Sequence, residues 1–317
     1  MIHIAGKSNN IRRFLRLAWR MYHANNTSGN YHRYVKRVAK DTISLSHALN
    51  DNTIPVRIFK KINWYMVESL IMGEMLARLA GKQVTDRDRQ TLVYLGAIMA
   101  LFDVFIDDFR FDRVRVLDIL DYTFSTDRPI KTVSDSQFGS DITEESILSI
   151  TNGKGGVSAM ICSAFLGQKD ESFRKAVFET GGFIQMMNDC QDIHKDTVSG
   201  IRTFVHFCNN FTEIFTRMNE QRLQAFRALM LLDLPPERKS ATLFELNAMF
   251  VVISYKLHVY SRACNYTLNY PAIREMDRKL FRINPFSLRA IISCVGPILE
   301  FDSTDLEAVP DFKFEQS

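Results

Sequence analysis

The chain has 317 residues, of which 46% are hydrophobic, with a formal net charge of +4 and a mean hydropathy of −0.11. That length allows one large or two ordinary domains and enough apolar material for a sizeable core. No run of about 18 uncharged apolar residues occurs, so no bilayer-spanning helix is expected.

Five cysteines (Cys162, Cys190, Cys208, Cys264 and Cys294) are scattered and odd in number, with no CxxC or Cys/His zinc spacing. A reducing, cytoplasmic setting is the expectation, with no secretory signal peptide. Charge is unevenly spread. Residues 1–40 carry nine Lys or Arg and no acid, whereas 301–317 carry five acids and one lysine. A basic N-terminus suits a membrane surface or an anionic substrate, or is simply a solvated helix face. Nucleic acid is not the expected partner.

The elements read as helical nearly throughout. Ile11, Phe14, Leu15, Ala18, Met21 and Tyr22 mark one apolar stripe, with Arg12, Arg13, Arg16 and Arg20 mostly opposite. Asn25–Asn30 is a turn. Helices follow over Tyr31–Leu49 and Pro55–Ala80, the second opened by Pro55 and stopped by Gly81. Another starts at Thr85 or Asp86 and runs into Asp103. A short helix covers Val114–Tyr122, and Ser125–Thr143 reads as a polar surface loop. Ile147–Thr151 leads into a break at Asn152–Gly156, followed by a helix over Val157–Leu166. A long helix is predicted over Glu171–Asp196, ending near Gly200. The last predicted helices are Phe204–Leu232, Ala241–Leu268 and Ala272–Ile298, the last interrupted at Pro285. With no repeat and no alternating strand series, the reading is all-α and a single domain over residues 1–300. Residues 301–317 read as a mobile acidic tail.

Two acidic clusters carry the chemistry. Asn188, Asp192 and Asp196 are spaced i, i+4 and i+8, so on a helix they share a face, about 6 Å apart per step. Hard oxygen donors in that pattern, with Lys195 beside the last, suit Mg2+ holding a phosphate-rich substrate. Asp and Asn are poor mid-helix residues, so four of them in one helix (Asp189 is the fourth) call for a reason. Upstream, Asp103 and Asp107 are i, i+4 with Asp108 adjacent, among Leu101, Phe102, Val104, Phe105, Ile106 and Phe109. Carboxylates in such surroundings need positive compensation, from metal or from Arg110, Arg113 and Arg115. Structural capping or surface acid is the alternative for this cluster. Gly6-Lys7-Ser8 imitates the end of a P-loop, but Met1 fills the slot of the motif's first glycine and no strand can precede it. His194 has no partner at metal-ligand spacing and reads as a surface residue.

With these residues in view, the chain resembles the class I isoprenoid synthase superfamily. Its second cluster is similar to the terpene synthase pattern N-D-x-x-S/T-x-x-K/R-E through Asn188, Asp189, Lys195 and Asp196, with Asp192 in the Ser/Thr slot and Asp196 in the Glu slot. It also resembles the squalene/phytoene synthase pattern Q-x-x-N-x-x-x-D-x-x-x-D through Gln185, Asn188, Asp192 and Asp196. The first cluster departs from DDxxD, with Val104 in the second slot and Asp107 in the last. A second frame would use Asp107, Asp108 and Asp112. The separation of 85 residues from Asp103 to Asn188 is short for that superfamily. The motif resemblance covers roughly Thr91–Phe204.

The resemblance implies a helical bundle of the isoprenoid synthase type, with two aspartate-bearing helices facing each other across an apolar cavity. Asp103, Asp107 and Asp108 would bind one metal group, and Asn188, Asp192 and Asp196 another. The cofactor would be Mg2+, roughly three ions, with Mn2+ as a substitute. Asp103, Asp107, Asn188, Asp192 and Asp196 would be the catalytic set, and Lys195 and Arg202 would reach diphosphate oxygens. Met99, Gly96, Phe102, Ile184 and Gln185 would line the substrate pocket, with the basic segment 1–40 as a lid. The expected reaction is ionisation of a prenyl diphosphate and cyclisation or elimination of the carbocation. A squalene/phytoene synthase-type prenyltransferase and a non-catalytic helical binding protein are the alternatives. A homodimer and peripheral membrane contact are compatible with either reading.

Overall fold

The computed structural model describes residues 10–17, 56–103, 143–167, 170–285 and 287–314, without the side chains of 56–60, 101 and 102. Among the described residues all regular structure is helical and there is no strand. The long elements are α1 (10–17), α2 (Val56–Ala80), α3 (Asp86–Asp103), α4 (Glu144–Ser163), α5 (Glu171–Gln191), α6 (Ile193–Ser199), α7 (Phe211–Met230), α8 (Pro236–Ala263), α9 (Tyr270–Glu275) and α10 (Leu288–Leu299). Single 3-10 turns occupy Ala164–Leu166, Phe204–Phe207 and Arg278–Phe281. The readings at Asn25–Asn30, Tyr31–Leu49, Val114–Tyr122 and most of Ser125–Thr143 lie outside the described residues.

The chain divides into two compact units. The smaller holds α2, α3 and the end of α4; the larger holds the start of α4 and α5 to α10, with residues 10–16.

In the smaller unit α2 and α3 pack side by side. Ile62, Met66 and Leu70 recur every fourth residue on α2 and are buried with Leu92, Val93, Ala97 and Ala100 of α3 and Cys162 of α4. Gly81 ends α2 as predicted, at φ +73°, a conformation that costs glycine little. The Lys82 N–H then bonds the Ala77 carbonyl and the Gly81 N–H that of Arg78, the usual closure of a helix C-terminus. At the start of α3 the Asp88 N–H donates to Thr85 Oγ1, and the Thr85 N–H to Asp88 Oδ2. This reciprocal cap satisfies two orphan donors.

In the larger unit α5 lies against α7 and α8. The Phe183 ring meets Phe226 at 6.3 Å and Phe250 at 6.2 Å. The fully buried Arg222 of α7 lies over Phe226 and Phe250. Its guanidinium donates to Asn219, Asn247 and the carbonyls of Leu306 and Ala308. That arrangement corrects the reading of the acidic tail as mobile. As far as Phe314, which is buried, the tail lies against α7 and α8, with Phe301 on Phe226 and Phe244, and Phe314 on Phe215.

The predicted break at Asn152–Gly156 is absent, because α4 runs unbroken from Glu144 to Ser163. Two of its three glycines serve contact: a Cβ on Gly155 would overlap the Gly181 carbonyl, and one on Gly156 the Phe178 ring. Close packing on α5 overrides the weak helix propensity of glycine. The long helix predicted over Glu171–Asp196 is real but bends at Asp192, which has φ −99° and ψ 11° and divides α5 from α6. Gly200 stops α6 at φ +69°. The predicted helix Phe204–Leu232 is a 3-10 turn and α7, divided where Asn210 caps α7 through the Glu213 N–H. Helix α8 starts five residues before the predicted Ala241, because Pro236 fits its first turn.

Candidate active site

Among the described residues, Asp103 is the member of the first acidic cluster, and it lies in the smaller unit. Asp103 is the last described residue of α3. Two groups one turn apart on α2 compensate it: Lys61 Nζ lies 2.8 Å from Asp103 Oδ2, and the Tyr65 hydroxyl donates to the same oxygen at 2.8 Å. With this partnership Asp103 is only 9% exposed. Asp107, Asp108 and Asp112, and the arginines expected to compensate them, lie outside the described residues, as does the Phe102 side chain. Met99 packs on the α2–α3 core. Gly96 does not open a pocket: its Cβ direction points into α2, onto Ser69 Oγ at 2.6 Å and the Tyr65 carbonyl, so its role is helix contact.

The larger unit contains the whole second motif. The Asp192 N–H bonds the Asn188 carbonyl at 3.0 Å, and the Asp196 N–H bonds the Asp192 carbonyl at 2.9 Å. One hydrogen-bonded column therefore links Asn188, Asp192 and Asp196 across the bend, and the one-turn spacing survives it. Asp192 itself sits in the sparsely populated bridge region where many active-site residues are found. Asn188 and Asp192 are half-buried and Asp196 is buried.

Burial dominates the electrostatics. It pushes the Asp196 carboxyl up to about 8, against Lys195, which lowers it, and with Asp192 and Asp189, which raise it further. Asp189 points elsewhere: it accepts from Gln185 Nε2 at 2.8 Å and from the Thr151 hydroxyl of α4 at 3.1 Å. Burial pushes it up to about 6, moderated by those two bonds and by Lys154. Lys195 Nζ lies 2.8 Å from Asp192 Oδ2 and 4.0 Å from Asp196 Oδ1, so it engages the motif carboxylates. Lys256 bonds Gln191 Oε1 at 2.5 Å and adds its field at Asp192.

The donor set fits a hard divalent cation. Asn188, Asp192 and Asp196 offer oxygen only, and a cation there would restore the charge that burial suppresses on Asp196. Among the described residues no three His, Cys, Asp or Glu side chains converge at metal-ligand spacing; this motif would supply two carboxylates and an amide.

Arg202 lines a cleft of about 630 Å3 with Arg274, His206, Tyr270 and Ile201, and none of the three motif oxygens is in its lining. Arg274 Nη2 donates to the Thr197 carbonyl at 3.2 Å. The His206 ring lies 4.9 Å from Tyr270. His206 Nδ1 accepts from the Thr203 N–H at 3.1 Å, which places the ring proton on Nε2, facing Thr197 Oγ1. Burial lowers its pKa to about 4.

No protein-family model, curated protein or solved structure matches this chain.

The structure thus gathers Asn188, Asp192, Asp196 and Lys195 in one place and puts Asp103, with Met99 and Gly96, in the other unit. Gln185 is committed to Asp189 and lies against α4; Ile184 is half-buried. His194, read as a surface residue, is buried: its Nε2 faces the Met276 carbonyl at 2.9 Å and its ring lies 4.9 Å from Phe281. Sequence reasoning missed Lys61 and Tyr65. Their signal was an i, i+4 cation–hydroxyl pair on a helix joined to α3 by a short turn. It also missed Thr151 and Lys256, which are brought in by tertiary packing alone.

Proposed function

We propose that the chain is a Mg2+-dependent enzyme of the class I terpene synthase type. It would ionise a prenyl diphosphate, release diphosphate, and cyclise the carbocation or remove a proton from it. The observation that carries this reading is the column of Asn188, Asp192 and Asp196, kept in one-turn register across a bend and containing a buried carboxylate. Mg2+ held there would act as a Lewis acid towards the leaving diphosphate. Asn188 and Asp192, the half-buried members, would fix the open side of the site, and Asp196 its buried base. Lys195 holds Asp192 in place and keeps a positive charge beside both carboxylates. Asp103, with Asp107 and Asp108, would supply the second acidic group. Arg202 has the better fork for diphosphate oxygens, although the cleft it lines does not include the motif residues, whereas Lys195 is beside them.

Incubating the protein with Mg2+ and each of the C10, C15, C20 and C25 prenyl diphosphates tests this directly. Diphosphate release with a hydrocarbon of one substrate's carbon count, lost on adding EDTA, is the expected result. A doubled carbon count would replace it with a squalene/phytoene synthase-type prenyltransferase, which the Gln185–Asn188–Asp192–Asp196 pattern also resembles. One observation favours a non-catalytic reading: Lys195, Lys154 and Lys256 already supply positive charge to Asp189, Asp192 and Asp196. That reading predicts no Mg2+-dependent diphosphate binding and indifference to Asp192→Ala.

A further inference from the structure

Helix α10 is apolar on two sides. Ala290, Cys294 and Ile298, four residues apart, are buried where α10 packs on α8. Leu288, Ile292, Val295 and Leu299 form a second stripe round the other side at helical spacing. Leu288 is 75% exposed, Ile292 69% and the neighbouring Ile291 38%. A surface helix ordinarily turns a polar face outward. This one has a single charged residue, Arg289, which is exposed beside the second stripe.

The approach to α10 has the same character. Around the 3-10 turn Arg278–Phe281, the side chains of Arg278, Lys279, Leu280 and Arg282 are exposed. From Arg278 to Leu299 there are four Lys or Arg and no Asp or Glu. Exposed aliphatic side chains interleaved with cations, on an element that buries its other face, make up the composition of an interfacial helix. Asp277 and Glu300 flank the segment, but the exposed charges interleaved with its aliphatic side chains are all positive, and these select the occupant. Two copies of this segment would bring like charges together, whereas a bilayer with anionic headgroups complements it.

We propose that the segment 278–299 seats the protein on membranes containing anionic lipid. Leu288, Ile291 and Ile292 enter the boundary between headgroups and acyl chains, and Arg278, Lys279, Arg282 and Arg289 meet lipid phosphates. This surface is independent of the enzymatic reading and needs no metal.

The test is cosedimentation of the full-length protein, in EDTA, with vesicles of phosphatidylcholine alone or of phosphatidylcholine mixed with phosphatidylserine. Binding is expected to the mixed vesicles, to weaken as salt rises, and to be much poorer on phosphatidylcholine alone. The pair Leu288→Ser with Ile292→Ser, and the pair Arg282→Glu with Arg289→Glu, should each weaken it about tenfold or more. Both pairs change exposed side chains, so an unchanged thermal unfolding transition is the control for folding. No binding, equal binding to both vesicles, or variants that bind like the parent would overturn the proposal. So would a dimer that Leu288→Ser with Ile292→Ser dissociates, because the face would then belong to a second copy.

Discussion

Gly155 of α4 lies so close to Gly181 of α5 that a Cβ on Gly155 would overlap the Gly181 carbonyl oxygen. Gly153, two residues earlier on α4, has nothing within 4 Å of its own Cβ position. The same change at the two glycines should therefore have opposite signs. Gly155→Ala forces the helices apart and should cost about 1–3 kcal/mol after the gain in helix propensity. Gly153→Ala should stabilise by up to about 1 kcal/mol. Urea unfolding of both variants measures this, and a Gly155→Ala protein as stable as the parent would remove the contact from the account.

The Asn188–Asp192–Asp196 column should separate folding from function. Asp196→Asn removes a carboxylate that burial already disfavours, so its unfolding temperature in EDTA should equal or exceed the parent's. Its Mg2+-dependent turnover, and that of Asp192→Ala, should fall about a hundredfold or more. Calorimetry of Mg2+ binding in the presence of diphosphate supplies a readout besides activity. Parental binding and turnover in both variants would leave the motif with no metal role.

His206 gives the larger unit an acid-sensitive point. Its ring is neutral when folded because burial lowers the pKa from 6.5 to about 4, so between those values the unfolded chain binds the extra proton. Stability is then full above about pH 6.5 and is lost as pH falls towards 4, by up to about 3 kcal/mol. His206→Gln, measured by unfolding at a series of pH values, should flatten that slope. An identical slope in the variant would assign the acid sensitivity to other groups.

Arg222 and the C-terminal tail should behave as one unit. The buried guanidinium donates to the carbonyls of Leu306 and Ala308, so losing either side leaves the other unsatisfied. Arg222→Leu should cost about 2–4 kcal/mol, and deletion of residues after 301 a similar amount. The two together should cost less than their sum. Strict additivity in unfolding experiments would mean that the contact contributes nothing.

Much of the fold was legible where a local signal decided the matter. Gly81 and Gly200 stop helices because only a residue tolerant of positive φ ends them cheaply, and the Thr85–Asp88 pair marks the start of α3. Prediction failed where packing at a distance outweighed local preference. Gly153, Gly155 and Gly156 look like a break because the reason for two of them, α5, is remote in sequence. The tail looks mobile because its charges are local, whereas its anchors, Arg222, Phe226 and Phe244, lie far upstream. The bend at Asp192 has no sequence marker, since an Asp in a motif helix reads the same straight or bent. For the site, the one-turn spacing of Asn188, Asp192 and Asp196 was readable from periodicity. The commitment of Lys195 to Asp192 and of Gln185 to Asp189 was not, because each side chain had more than one partner within reach of its helix.

Asn10 donates through its side-chain amide to the carbonyls of Leu299 and Phe301, across 289 and 291 residues, and Arg13 reaches Ser240 Oγ. These anchors for the first described helix are absent while the ribosome is making most of the chain. Residues 10–17, once made, must wait for partners that lie 289 and 291 residues further along the chain. Closure of so long a loop is slow relative to local helix formation. Docking of that helix therefore follows synthesis of Leu299 and Phe301, so a nascent chain stalled short of residue 299 would present it without these two bonds.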